Sequence, residues 1–310
     1  MAAPPRLFDR ALHRVRLERA AGLFSQADFL KRRAAGDLVE RLETIQRQFS
    51  VAVDLGARTG SFAEMLAGSD ARDKVGLLVE SDLSAAMLGT RRAVRLVADE
   101  ERLPFADASL DLVVSSLALH WSNDLVGALI QIRRALKPDG LFLAAILGGA
   151  TLTELRQALT QAELDVCGGA GPRVSPFADA FDAAALLQRA GFALPVADVD
   201  RVTVRYSHPL ALMADLRRMG ETNVLAEHSG RPLTRPILAR MSEIYAERFA
   251  EADGRIVATF EILTLTGWAP HESQQKPLRP GSAKARLADV LGVTEQSAGE
   301  KAGDGGRQAG

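Results

Sequence analysis

The chain has 310 residues, 47% of them hydrophobic, enough for one large α/β domain or two small ones. Thirty-eight basic residues against 39 acidic ones leave a net charge of −1, which excludes the broad positive footprint of a nucleic-acid binder. A single cysteine, Cys167, excludes a disulfide framework and a cysteine-based metal centre, and no apolar run approaches the roughly 20 residues of a membrane-spanning helix.

The N-terminal stretch "MAAPPRLFDRALHRVRLERA" is Arg-rich in the manner of a transit peptide. Asp9 and Glu18 interrupt it and serine is scarce, so it reads as mature protein of a bacterial cytoplasm. Charged and apolar positions alternate at helical spacing over residues 7–47, which predicts two helices. Strands and helices then alternate. "VAVDL" (51–55), "KVGLLVES" (74–81), "VRLVAD" (94–99), "LDLVVSS" (110–116) and "LFLAAIL" (141–147) read as strands. "SFAEMLAG", "LSAAMLGTRR" and "DLVGALIQIRRAL" (124–136) read as helices, the last stopped by a turn at Lys137-Pro138-Asp139-Gly140. Short connections between alternating elements predict a parallel sheet covered by helices on both faces, with ligands at the strand C-termini. Two later strands, 197–206 and 255–269, flank a helical insert over about 209–252. Leu212, Met213, Leu216 and Met219 form a stripe there at helical spacing, as core residues do. The implied division is a helical segment 1–47, a sheet domain 48–270, an extension 271–294 and a disordered tail 295–310, almost free of apolar residues.

The turn after the first strand, "VAVDLGARTG" (51–60), raises the functional question. Asp54 ends the strand, Gly56 lets the chain reverse, and Gly60 lets the next helix approach closely. Arg58 stands where a dinucleotide fingerprint has its second glycine, and no Walker lysine follows. The remaining pattern matches the S-adenosylmethionine turn of class I methyltransferases at three of four positions. Asp82 closes the second strand, where it can accept both hydroxyls of a ribose. Asp99 closes the third, where it can accept from an adenine amine beside Leu103 and Phe105. After the fourth strand, His120 is either a base or a packed ring, and Trp121 can wall a substrate pocket. The five histidines contain no H-x-[DE] pair, so no metal site is expected, and no G-x-S-x-G elbow supports a serine hydrolase.

"ADEERLPFADASLDLVVSSLALHWSNDL" resembles the malonyl-carrier-protein methyltransferases of biotin synthesis. "FDRALHRVR", "SPFADAFDAAALLQRAGF", "DLRRMGETN", "DGRIVATFEILTLTGW" and "HESQQKPLRPGSA" resemble more closely the mitochondrial complex I assembly factor 5 family, arginine hydroxylases with a methyltransferase fold. The resemblance implies a Rossmann-like α/β fold with a seven-stranded, mostly parallel sheet. It implies hydroxylation of one arginine in the quinone-proximal iron–sulfur subunit of complex I during assembly. It also implies S-adenosylmethionine contacts at Asp54, Gly56, Arg58, Gly60, Asp82, Leu83, Asp99, Glu100 and Ser115. Ordinary methyl transfer and a non-catalytic assembly chaperone stand as alternatives, as does peripheral association with the inner face of the membrane. Arg58, an alternative catalytic candidate beside His120 and Trp121, can pair with a cofactor carboxylate, pair with Asp54, or fill part of the cavity.

Overall fold

The computed structural model describes residues 6–227 and 232–274, and those up to His271 form one compact unit. The proposed extension and tail lie outside the described residues except for 271–274. Among the described residues no helix is long and apolar enough to cross a membrane.

Two helices lead into the sheet. Asp9 caps α1 (Arg10–Ala20) by accepting from the Leu12 amide at 2.9 Å, and the buried stripe of α1 is His13, Leu17 and Ala20. Helix α2 (Phe29–Thr44) buries Leu30, Lys31, Ala34, Ala35, Leu38 and Leu42, a face at helical spacing that includes a lysine. The strands follow as β1 (Phe49–Leu55), β2 (Val75–Asp82), β3 (Val94–Val97), β4 (Leu110–Ser116), β5 (Leu136–Leu147), β6 (Ala193–Tyr206) and β7 (Ile256–Trp268). They form one seven-stranded sheet in the order β3-β2-β1-β4-β5-β7-β6, parallel throughout except for β7, which is antiparallel to both neighbours.

Successive residues of the central strands enter opposite layers, as a pleated strand requires. Ala52, Leu112, Val114, Leu141 and Leu143 pack with α2 and with Phe62 and Leu66 of α3 (Ser61–Ala67). Val53, Val113, Phe142, Ala144 and Ile146 pack on the other face with Leu129 and Ile132 of α5 (Leu125–Ala135), the one-turn α4 (Ala85–Leu88) having come between. The helices α6 (Thr153–Cys167) and α7 (Ala180–Arg189) fall where the sequence reading assigned no element. The insert resolves into α8 (Pro209–Met219) and α9 (Arg235–Phe249). Leu212, Leu216 and Met219 are core there, with Met213 partly buried against them.

Several boundaries differ from the sequence reading: β6 starts at Ala193 instead of 197, and α4 spans only Ala85–Leu88 of the expected "LSAAMLGTRR". Residues 137–140, expected as a turn, belong to β5: Leu136 already pairs with Leu110, and the next paired residue, Leu141, meets Leu112 across a register shift. Strand β3 ends at Val97, so Asp99 lies two residues beyond it, in an isolated bridge with Arg102.

Candidate functional site

The C-terminal ends of β1, β2 and β4 meet at one edge of the sheet, and the turn after β1 lies over them. Gly56, Arg58 and Gly60 all take left-handed backbone, with φ of 72°, 51° and 84°. Gly56 is forced by close approach: a Cβ there would sit 2.2 Å from that of Ala118. Gly56→Ala is therefore expected to cost about 2–4 kcal/mol, from backbone strain plus overpacking, measured by denaturant unfolding.

Arg58 has no such excuse in its backbone, since a side chain in this region costs about 1–2 kcal/mol. Its side chain supplies the reason. The backbone amide and Nη1 of Arg58 both donate to Asp82 Oδ2, each at 2.9 Å, and both residues are fully enclosed. Asp82 Oδ1 takes the Ser84 amide at 2.8 Å. Of the three alternatives for Arg58, the Asp54 pairing gives way to one with Asp82, and the side chain also lines the cavity. The parallel register explains it: Leu55 pairs with Ser81, whose carbonyl accepts from the Gly56 and Ala57 amides, so the next residue along β2 lies directly under the turn. Burial works against the Arg58 charge, but Asp82, Glu100 and Glu221 outweigh it and hold the guanidinium above its ordinary range.

A second arginine treats the third strand's acids alike. Arg10 of α1 donates from Nη2 to Asp99 Oδ1 at 2.7 Å and to Glu100 Oε2. Burial opposes this charge too, and Glu100 and Asp99 more than compensate. One turn on, His13 lies against Trp121, with ring centroids 4.9 Å apart. Burial first, then Arg58, Arg10 and His120, push the His13 imidazole well below its ordinary range, so it is neutral at pH 7.

Asp54 is fully buried, and neither of its carboxylate oxygens has a partner. Burial pushes it up to about 6 while Lys31 pulls the other way. Lys31 reaches in from α2, and its Nζ donates to the carbonyls of Gly56 and Ser116. Burial lowers Lys31 to about 8, with Asp54 opposing the shift.

The other expected contacts are arranged differently. Ser115 Oγ donates to the Leu55 carbonyl at 2.8 Å. Leu83 packs with Leu17, Ala20, Phe24 and Met87 beneath α1. Leu103 and Phe105 join the core layer under α5 instead of standing free for a ring. Trp121 Nε1 donates to Glu221 Oε2 at 2.9 Å, and His120 Nε2 lies 3.3 Å from the same oxygen. Arg58, Lys31, Trp121 and Glu221 line one side of a cavity of about 280 Å³ whose other walls are largely apolar.

Arg10, His13 and Lys31 were missed by sequence reasoning, although helical spacing carried a signal. Lys31 falls on the face of Ala34, Ala35 and Leu38, and Arg10 on that of His13 and Leu17. A charge on a buried stripe implies a buried acceptor.

Residues 53–144 match the family described as "Methyltransferase domain". The similarity to the arginine-hydroxylase NDUFAF5 of Danio rerio is 40% identity over 291 residues, covering 92% of this chain and 89% of that protein. The chain belongs to the NDUFAF5 arginine-hydroxylase family. More distantly, a malonyl-[acyl-carrier protein] O-methyltransferase of Methylovorus sp. (strain MP688) is 35% identical, over 87% of this chain and 92% of that one. The fold is shared with a putative methyltransferase of Bacillus halodurans C-125, at a TM-score of 0.52 and 16% identity, covering 76% of this chain and 99% of that one.

Such a fold implies S-adenosylmethionine, and this family member keeps acceptors that suit it. The ligand presents a ribose diol, an adenine amine and a methionine ammonium, each of which needs an acceptor. Asp82 and the unpartnered Asp54 stand at the ends of β2 and β1, and the Asp99–Glu100 pair follows just beyond the end of β3. The acceptors fit the ligand, and two of the three are already engaged by the protein's own arginines.

Proposed function

We propose that this protein acts in the assembly of respiratory complex I, hydroxylating an arginine of the quinone-proximal iron–sulfur subunit in a bacterial cytoplasm. The observation that supports this reading is identity along nearly the whole chain. The arginine hydroxylase of Danio rerio is 40% identical over 291 residues, against 35% over 285 for the malonyl-carrier methyltransferase. Outside the matched methyltransferase domain, 53–144, lie α1 with Arg10 and the segment holding Glu221, both of which meet the cofactor edge.

In this reading Asp82 holds the ribose, Asp99 and Glu100 the adenine amine, and Asp54 with the Gly56–Gly60 turn the methionine end. Leu83 and Ser115 stand behind them. When bound, S-adenosylmethionine would supply an electrophilic sulfonium methyl group, which is no oxidant; hydroxylation of the arginine would draw one oxygen atom from O2, with a two-electron donor reducing the other to water. The chain's own residues shield the site from water and fix the rings beside it. Glu221 holds Trp121 and His120 in place, and His120 Nδ1 is buried without a partner among the described residues. Among the described residues no cluster of three or more His, Cys, Asp or Glu side chains is placed to hold a metal ion.

Peptide mass spectrometry of the subunit from wild-type and deletion strains tests the proposal. One added oxygen on a single arginine, absent without the gene, is the expected result, and growth under ¹⁸O₂ traces the source of that oxygen. A lost methyl group would instead assign the protein to methyl transfer, the activity named in its malonyl-carrier relatives. An unmodified subunit in both strains would leave only a chaperone role.

A further inference from the structure

Below the turn, the 280 Å³ cavity has a character that neither the cofactor nor a substrate arginine explains. Its walls are leucines, methionines and phenylalanines from α2, α6, α8, the end of β5 and the body of β7, among them Leu30, Leu155, Leu216, Met219 and Phe260. Among the described residues five cations also line it: Arg16, Lys31, Arg58, Arg173 and Arg217. Three of these have internal acceptors. Arg58 pairs with Asp82, Arg173 with Glu163 at 2.5 Å, and Lys31 with two carbonyls. Arg16 and Arg217 have no carboxylate partner among the described residues.

Unmet polar atoms gather around the same space. Arg16 Nε, Arg58 Nη2 and Thr222 Oγ1 are all buried, all belong to lining residues, and none has a hydrogen-bond partner. Orphaned buried donors cost about 1–3 kcal/mol each, so a site that keeps several is shaped for an acceptor from outside. Among the described residues Glu221 is the one acid in the lining, and it already accepts from Trp121. A guanidinium entering here would meet the two unpaired arginines. An oxyanion would meet donors.

We propose that this cavity binds an amphipathic carboxylate, its aliphatic body among the leucines and its head on Arg16, Arg217 and Thr222. The volume is near the roughly 300 Å³ lower end of small-molecule pockets. Apolar walls with a few convergent polar groups are the usual makeup of such a site. The same carboxylate chemistry could come from the methionine end of the cofactor, but that end carries an ammonium and no apolar body for the walls to cover. The site stands independently of whether the protein hydroxylates arginine.

Isothermal titration of the full-length protein with decanoate, decanol and decyltrimethylammonium tests it. Decanoate is expected to bind at least tenfold more tightly than decanol, with the ammonium compound not binding. Arg217→Ala, on an exposed residue, should weaken decanoate alone, and Arg16→Met should weaken it further. Should Arg16→Met fail to fold, Leu155→Phe, which fills the cavity, is expected to abolish binding of decanoate and decanol together. Equal affinity for decanoate and decanol would overturn the proposal, as would unchanged decanoate binding in Arg217→Ala. Competitive displacement of decanoate by S-adenosylmethionine would also overturn it, by assigning the donors to the cofactor.

Discussion

Arg58→Gly is expected to tighten S-adenosylmethionine binding at least tenfold while lowering the melting temperature of the ligand-free protein by about 3–5 °C. The affinity gain follows from competition. A ribose that seeks Asp82 must share or displace a guanidinium and an amide that already hold Oδ2. Tenfold corresponds to about 1.4 kcal/mol, a modest part of a buried ion pair. The stability loss comes from the other side of the same pair. Glycine relieves about 1–2 kcal/mol of left-handed strain, but removing the guanidinium leaves a fully buried carboxylate without its counter-charge, held only by the amides of residues 58 and 84, at about 3–5 kcal/mol. A net loss of about 2–3 kcal/mol in a chain of this size moves the midpoint by several degrees. Titration calorimetry and thermal unfolding read the two effects separately. Weaker binding in the variant would make Arg58 a partner of the cofactor instead of its competitor.

The Asp54–Lys31 pair gives the stability a two-sided pH dependence. Asp54 titrates near 6 when folded and near an ordinary 3.8 when unfolded. The folded chain therefore holds a proton that the unfolded chain releases, and stability falls as pH rises from 3.8 to about 6. Lys31 works at the other end: its folded value of about 8 lies below the ordinary 10.5. Its contribution is full above 10.5 and is lost as pH falls through about 8. Denaturant unfolding from pH 4 to 10 should show both slopes in the wild type. Asp54→Asn should flatten the acid slope and Lys31→Met the alkaline one. An Asp54→Asn curve parallel to the wild type between pH 4 and 6 would mean that Asp54 is ionised throughout.

The sheet was legible because its strands announce themselves. "VAVDL", "LDLVVSS" and "LFLAAIL" are short apolar runs between turn residues, and parallel central strands are buried on both faces. The strand-end acids were legible for the same reason, since topology alone brings Asp54 and Asp82 to one edge. What opposes those acids was not. Arg10 meets Asp99 across 89 residues of chain, and periodicity says which face a residue takes but not what it will meet there. Arg58 was noticed as a departure from glycine, yet its partner depended on the one-residue offset between Leu55 and Asp82. The helices α6 and α7 went unread although β5 precedes the first and β6 follows the second.

The order of the last two strands bears on how the chain is made. Strand β6, fourteen residues long, pairs in the sheet only with β7, which is inserted antiparallel between it and β5. Until residue 268 has left the ribosome, β6 has no ladder to join, and Leu194, Val196 and Val199 remain exposed on it even in the finished fold. The parallel half can assemble as it emerges, whereas the far edge waits on pairings some sixty residues downstream, contacts that form late and slowly. A nascent chain stalled before Ile256 thus offers a long unpaired strand to its neighbours, and the final strand is the step that closes that window.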